Sequence, residues 1–292
     1  VSPLSHSSAV EHVIQLGDGR RLGYAVYGDP DGRPVLNCHG GLLCRIDVAG
    51  AADDARRLGI CLISPDRPGV GLSDRSPGHD TADWSEDVRE LLDQLGIDQV
   101  AVMGWSLGGQ YALAVAARLP ERVSRTAVIA GCIPLDDPVA FSQLNRIDQR
   151  LATLSRRAAP AARSIFAMMG ATARRSPTFQ ARLAARGVGL ADRAVFNDEA
   201  TLLARAMAEG LADTRGAVDE YRAMVAPWGY RPEAVTGPVD LWQGELDTLV
   251  PAGWATELKR RIPQAAVTRL PDEGHLIAFT HRAEVLTRLL TP

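Results

Sequence analysis

Val100–Ala101–Val102–Met103–Gly104–Trp105–Ser106–Leu107–Gly108–Gly109 joins a short apolar run to a stretch rich in Ala and Leu. The first half reads as a buried strand, and Leu107 to Leu119 reads as a helix. Between them stands a G-x-S-x-G pattern. A strand before and a helix after give that pattern chemical meaning. The turn forces its central residue into a strained backbone conformation, and Gly104 and Gly108, two residues to either side, carry no Cβ to collide there. The Ser106 hydroxyl is pushed out above the strand end. The N–H of Leu107 is left free at a helix start, where developing negative charge is stabilised. The plainer alternative is a glycine-rich helix start whose Ser is only a cap.

Working outward, strand and helix signals alternate. Leu22 to Tyr27, Pro34 to Cys38, Ile60 to Ser64 and Thr126 to Ala130 read as strands, and His12 falls in a first strand ahead of them. Val48 to Leu58 and Trp84 to Leu95 have helical composition or spacing. This rhythm predicts a parallel sheet with helices on both faces, and ligands at the carboxyl ends of its strands. The rhythm then stops. From about Pro134 to Glu233 no strand is predicted, and the segment holds four of the five Phe and four of the five Met. It returns with Pro238 to Gln243 as strand, Gly253 to Arg261 as helix, Ala266 to Leu270 as strand and Ala283 to Leu290 as helix. The expected organisation is a core formed by residues 1–133 and 236–292, interrupted by a helical insertion over 134–235.

A serine hydroxyl needs a base. Of six histidines, His6 and His12 lie near the start, His79 in a polar loop and His281 in the last helix. His275 directly follows the final strand, at the same sheet edge as Ser106, which makes it the candidate base. The orienting carboxylate is expected from Gly244–Glu245–Leu246–Asp247, after the penultimate strand. Asp247 is favoured, with Glu245 as neighbour and Asp136 or Asp137 as a second alternative; the order Ser, Asp, His fits this arrangement. A second oxyanion donor is expected from the loop His39–Gly40–Gly41–Leu42, with Gly41 preferred over Leu42. His39 itself reads as a residue that orders this loop.

Together, His39–Gly40–Gly41, Asp66–Arg67–Pro68–Gly69–Val70–Gly71–Leu72–Ser73, Gly104 to Gly109, Gly244 to Asp247 and Asp272 to His275 resemble the α/β-hydrolase superfamily. The resemblance is to the branch of capped serine hydrolases that holds proline iminopeptidases and haloperoxidase-like esterases. It covers the two core segments and implies an α/β fold: a mostly parallel eight-stranded sheet, helices on both faces and a helical cap. It implies a structural turn for the Asp66-to-Ser73 loop. Leu42–Leu43 stands where proline iminopeptidases usually carry Pro-Gly, which weakens a peptidase reading. Ser106 argues against epoxide hydrolases and haloalkane dehalogenases, which carry Asp there. The activity implied is cleavage of a small, largely apolar carboxylic ester. Amide or aminopeptidase chemistry, carbon–carbon bond hydrolysis and a non-turnover ligand receptor are the alternatives.

Trp105, Leu42, Phe141, Met168 and Met207 are the candidate substrate contacts, since Met and Phe adapt to irregular ligands. The first half of the insertion is basic. Arg146 to Arg193 contains ten Arg against Asp148 and Asp192, which reads as a solvated helix face, with an anionic substrate or lipid surface as the alternative. Net charge is −3, which gives no general reason to expect nucleic acid. Cys38, Cys44, Cys61 and Cys132 form no CxxC pair, so no metal site is expected and no cofactor is implied. No run is long enough to cross a bilayer, and the start VSPLSHSSAVEH lacks a secretory signal's features, so a cytoplasmic enzyme is expected. Oligomeric state leaves no trace in the sequence.

Overall fold

The computed structural model describes residues 10–291; His6 and the residues around it lie outside that range. Eight strands form one sheet in the order β1-β2-β4-β3-β5-β6-β7-β8. They are β1 (Val10–Gln15), β2 (Arg21–Gly28), β3 (Arg33–Cys38), β4 (Ile60–Pro65), β5 (Val100–Trp105), β6 (Val123–Ile129), β7 (Val239–Gly244) and β8 (Ala266–Leu270). β1 with β2 and β2 with β4 pair antiparallel; every other pair is parallel.

β5 is buried along its whole length, as expected of a parallel strand covered on both faces. Its side chains alternate between two cores. Val100 and Val102 join a cluster with Trp84, Leu91 and Leu113. Ala101, Met103 and Trp105 join the other, with Ala55, Val285 and Leu286. Helices α2 (Trp84–Leu95) and α3 (Gly108–Arg118) cover the first face with Trp254 and Leu258 of a later helix; α1 (Ala52–Arg57) covers the second with the helix of Val285 and Leu286. The predicted helix from Val48 is shorter than expected, because Ala49–Ala51 form a 3-10 turn before α1. α2 stops at Gly96, whose φ of 67° supplies the left-handed cap that ends a helix.

Between β6 and β7 the only regular structure among the described residues is helical. It runs through α4 (Pro138–Gln143), α5 (Arg146–Arg157), α6 (Ala159–Arg175), α7 (Pro177–Ala185), α8 (Leu190–Asp198), α9 (Ala200–Gly210) and α10 (Thr214–Met224). Phe166 and Tyr221 from these helices, with Leu211 just past α9, belong to the same apolar cluster as Leu36 and Leu113 of the sheet layer. The insertion is therefore packed onto the core, not tethered beside it. The chain ends with α11 (Gly253–Arg261), α12 (Ile277–Thr280) and α13 (Arg282–Leu289). Among the described residues, no helix is long and apolar enough to cross a membrane.

Register positions the site. Cys38 lies opposite Gly104, so β3 and β5 release their following loops side by side. Gly244 lies opposite Leu270, so the loops after β7 and β8 leave the same edge.

Candidate active site

The elbow after β5 has the geometry its glycines foretell. Ser106 has φ 55°, the left-handed region that non-glycine residues rarely adopt. It is held there by its N–H, which donates to Ile129 O at 2.8 Å, and by its carbonyl, which accepts from Gly109 N at 3.0 Å. A Cβ on Gly108 would lie 2.0 Å from Cys38 O, and one on Gly104 would lie 2.2 Å from Gly108 O. Only glycine permits both approaches.

His275 is 4% exposed. Its Nδ1 lies 2.8 Å from Asp247 Oδ2. The other oxygen of Asp247 accepts from the backbone N–H of Leu249 at 2.8 Å and of Val250 at 2.9 Å. A carboxylate on Nδ1 fixes the proton there and leaves Nε2 as the basic nitrogen. Burial disfavours the imidazolium, but the charge and hydrogen bond of Asp247, aided by Asp192 and Asp148, outweigh it and raise the His275 pKa above the ordinary imidazole value. The competing acids sit elsewhere. Glu245 pairs with Arg269 at 2.6 Å, Asp137 caps α4 through Val139 N, and Asp136 is exposed.

The loop that carries His275 has two further supports. Trp105 Nε1 donates to His275 O at 3.0 Å. Asp192 of α8, 1% exposed, accepts from His275 N at 3.0 Å and from Leu276 N at 2.7 Å. Gly274 makes this approach possible, since a Cβ there would lie 2.4 Å from Asp192.

The loop after β3 is fixed by buried polar groups. His39 Nδ1 donates to Gly40 O at 2.9 Å, while its Nε2 accepts from Arg67 N at 3.2 Å. Burial and the nearby Arg67 hold its pKa well below the usual imidazole range, so the ring is neutral. Gly40 N donates to Asp47 at 2.9 Å. Leu42, at φ 63°, points its N–H at Glu220 of α10 at 3.3 Å. The N–H groups of Gly41 and Leu107 donate to no protein acceptor among the described residues. The two residues adjoin: a Cβ on Gly41 would lie 3.3 Å from the Leu107 side chain.

Arg67 ties this loop to the insertion. Its guanidinium donates to His39 O, to Gly40 O at 3.1 Å and to Glu220 Oε1 at 2.6 Å, and lies 4.6 Å over the Tyr111 ring. Arg67 and Glu220 are 2% and 4% exposed. Arg67→Met alone is expected to lower stability by about 3–5 kcal/mol, because it strands a buried carboxylate. Adding Glu220→Leu is expected to restore most of that loss. Turnover should not return, because the His39 carbonyl still lacks its Arg67 donor and the Gly40 carbonyl keeps only the His39 ring. Urea denaturation and kinetics of the two variants check both statements.

Ser106, His275, Gly41 and Leu107 all line one cavity of about 360 Å³, beneath the insertion. Its walls are mainly apolar and include the expected Trp105, Leu42 and Met207. Two expectations are corrected. Met168 is 63% exposed, because α6 buries Ala162, Phe166, Gly170 and Ala173, and residue 168 falls on the opposite side of that stripe. Its neighbour Met169 lines the cavity instead. Phe141 on α4 packs beside Val225 and Ala152 in a separate hollow. The sequence reading missed Asp192, Glu220 and the structural use of Arg67. Arg67 carried a signal, its place in the Asp66-to-Ser73 motif, whose Asp66 accepts from Arg45 N at 2.7 Å and Leu72 N at 2.9 Å.

The family model for the alpha/beta hydrolase fold matches residues 33–282. The chain belongs to the alpha/beta hydrolase family. This hydrolase is similar to the 2-hydroxymuconate semialdehyde hydrolase of Pseudomonas putida, with 37% identity over 112 residues, 37% of this chain and 40% of that protein. The matched stretch is thus well under two thirds of that relative's length. Among solved structures, the enol-lactonase from Burkholderia xenovorans LB400 matches with a TM-score of 0.70 at 16% identity, over 96% of this hydrolase and 100% of that chain. A thermophilic esterase from Thermogutta terrifontis matches with a TM-score of 0.66 at 21% identity, over 98% of this hydrolase and 100% of that chain.

Proposed function

We propose that this hydrolase cleaves a small, largely apolar carboxylic ester through an acyl-enzyme on Ser106. The observation that carries the reading is the shared cavity: the strained Ser106 and the Asp247-bound His275 line the same apolar chamber. His275 Nε2 takes the Ser106 proton as Oγ attacks the carbonyl carbon. The oxyanion accepts from the N–H groups of Gly41 and Leu107. Collapse expels the alcohol, which leaves with the proton from His275. Water, deprotonated by the same nitrogen, then attacks the acyl carbon and releases the acid. The helices between β6 and β7 serve as the lid, with residues 134–235 as its span and 1–133 with 236–292 as the catalytic core.

Three polar residues of the chamber, Tyr221, Asn145 and Asp148, satisfy one another, while Gln180 Oε1 has no hydrogen-bond partner among the described residues. Tyr221 Oη donates to Asp148 Oδ1 at 2.7 Å, and Asn145 Nδ2 donates to Asp148 Oδ2 at 2.7 Å. The remaining wall favours an apolar acyl group. A panel of nitrophenyl esters of rising acyl length, with labelling by a fluorophosphonate, tests the proposal. Turnover with a preferred short or medium acyl chain and one labelled serine is expected. No turnover and no label would overturn it in favour of a ligand receptor. A carbon–carbon bond hydrolase using the same residues takes its support from the similarity to the Pseudomonas putida protein. Turnover of 2-hydroxymuconate semialdehyde, with every ester refused, would establish that second reading.

A further inference from the structure

Helix α7 carries an apolar face on its outside. Its buried side consists of Gln180 and Ala181. The outward residues Phe179, Arg182, Leu183 and Arg186 are all exposed, Phe179 by 55% and Leu183 by 49%. Their spacing of i, i+3, i+4 and i+7 places them on one stripe. Helices of soluble domains normally turn such residues toward the core. Across the cavity mouth stands Ile147, at the start of α5 and 56% exposed. Its Cδ1 would lie 3.6 Å from a Cβ on Gly187, just past α7. Ile147 and Leu183 line the cavity as well, so they form its rim.

The exposed charge of the stretch from Arg146 to Arg193 has one sign. All ten arginines between Arg146 and Arg193 are exposed. None forms an ion pair among the described residues, whereas nineteen of the other twenty-one arginines do. The two aspartates of the stretch are turned inward, Asp148 to Tyr221 and Asp192 to the His275 loop. Positive charge interleaved with exposed Phe, Leu and Ile suits one kind of partner, a layer that is anionic at its surface and apolar beneath.

We propose that the outer stripe of α7, with the start of α5, docks on a lipid surface bearing anionic headgroups, so that the cavity mouth opens at the bilayer interface. Arginine heads meet the headgroups while Phe179, Leu183 and Ile147 enter the acyl boundary. A substrate dissolved in the lipid then reaches the rim without crossing water.

Vesicle co-sedimentation of the full chain tests this, using phosphatidylcholine vesicles with and without phosphatidylglycerol. Binding is expected only with phosphatidylglycerol, and it should weaken as salt rises. Arg182→Glu with Arg186→Glu is expected to weaken binding by at least about fivefold per arginine. Phe179→Ser should weaken it by about tenfold. Thermal melting shows whether the variants remain folded, and none of these three residues lines the cavity. Equal sedimentation of wild type and folded variants would overturn the proposal, as would no binding to phosphatidylglycerol vesicles. So would binding to the soluble polyanion heparin that Phe179→Ser leaves intact, or a concentration-dependent dimer that Phe179→Ser dissolves. Sedimentation reads docking alone, so it stands apart from whether the enzyme turns over esters.

Discussion

Ser106→Ala is expected to reduce kcat for ester hydrolysis by about 10⁶, the scale at which a triad nucleophile's removal leaves only binding and oxyanion stabilisation. The fold should tolerate the change. Ala keeps the Cβ that already sits at φ 55°, and the backbone bonds to Ile129 and Gly109 do not involve the hydroxyl. Denaturation midpoints should therefore differ by no more than about 0.5 kcal/mol. Affinity for an apolar product, measured by calorimetry, should persist, because the cavity wall is unchanged. Turnover surviving in the Ala variant would place the nucleophile elsewhere.

Asp247→Asn is expected to lower kcat by about 10⁴. The reason lies in the carboxylate's two faces. Oδ1 accepts from Leu249 N and Val250 N, and Oδ2 faces His275 Nδ1. An Asn must keep its oxygen toward the two N–H donors, so its NH₂ turns to the ring. His275 Nδ1 is then an acceptor and the proton moves to Nε2, which can no longer serve as base. The pH profile carries a second signature. Activity needs neutral His275 and falls as pH drops through its pKa, which Asp247 raises. The acid limb of the wild type should thus lie above the free imidazole value, and that of the Asn variant should move to lower pH. An acid limb that stays in place would show that another group titrates. The groups facing His275 are Asp247 from the loop after β7, Asp192 from α8 and Asp148 from α5, so Asp192→Asn serves as the control for a general loss of nearby charge.

The inner strands were legible because they are short apolar runs buried on both faces, and β5 leads directly into an elbow that two glycines mark. Asp247 was legible from its place after a strand, but position alone left Glu245 open. Only the turn at Gly244 decides which carboxylate faces inward and which meets Arg269. The insertion was legible as helical and no further. Met168 and Met169 are adjacent, and helix phase separates them: one faces solvent and the other the cavity. Asp192 and Glu220 looked like acids on charged helices. Their partners lie 83 and 153 residues away, and no local pattern records such a meeting. The basic stretch from Arg146 to Arg193 was read as a solvated face. Its lack of ion-pair partners emerges only once Asp148 and Asp192 are seen to point inward.

The carboxylate that α8 sends beneath the His275 loop bears on attempts to graft a foreign lid onto this scaffold. Half of the hydrogen bonding that shapes the base's main chain would leave with the donor helix, and two amides would be orphaned beside the imidazole. A chimera chosen for a new chamber would inherit a slackened relay unless its replacement helix carried an acid at that register. On the proposed function, selectivity and chemical speed are therefore not separable modules, and recombination must move them as one cassette.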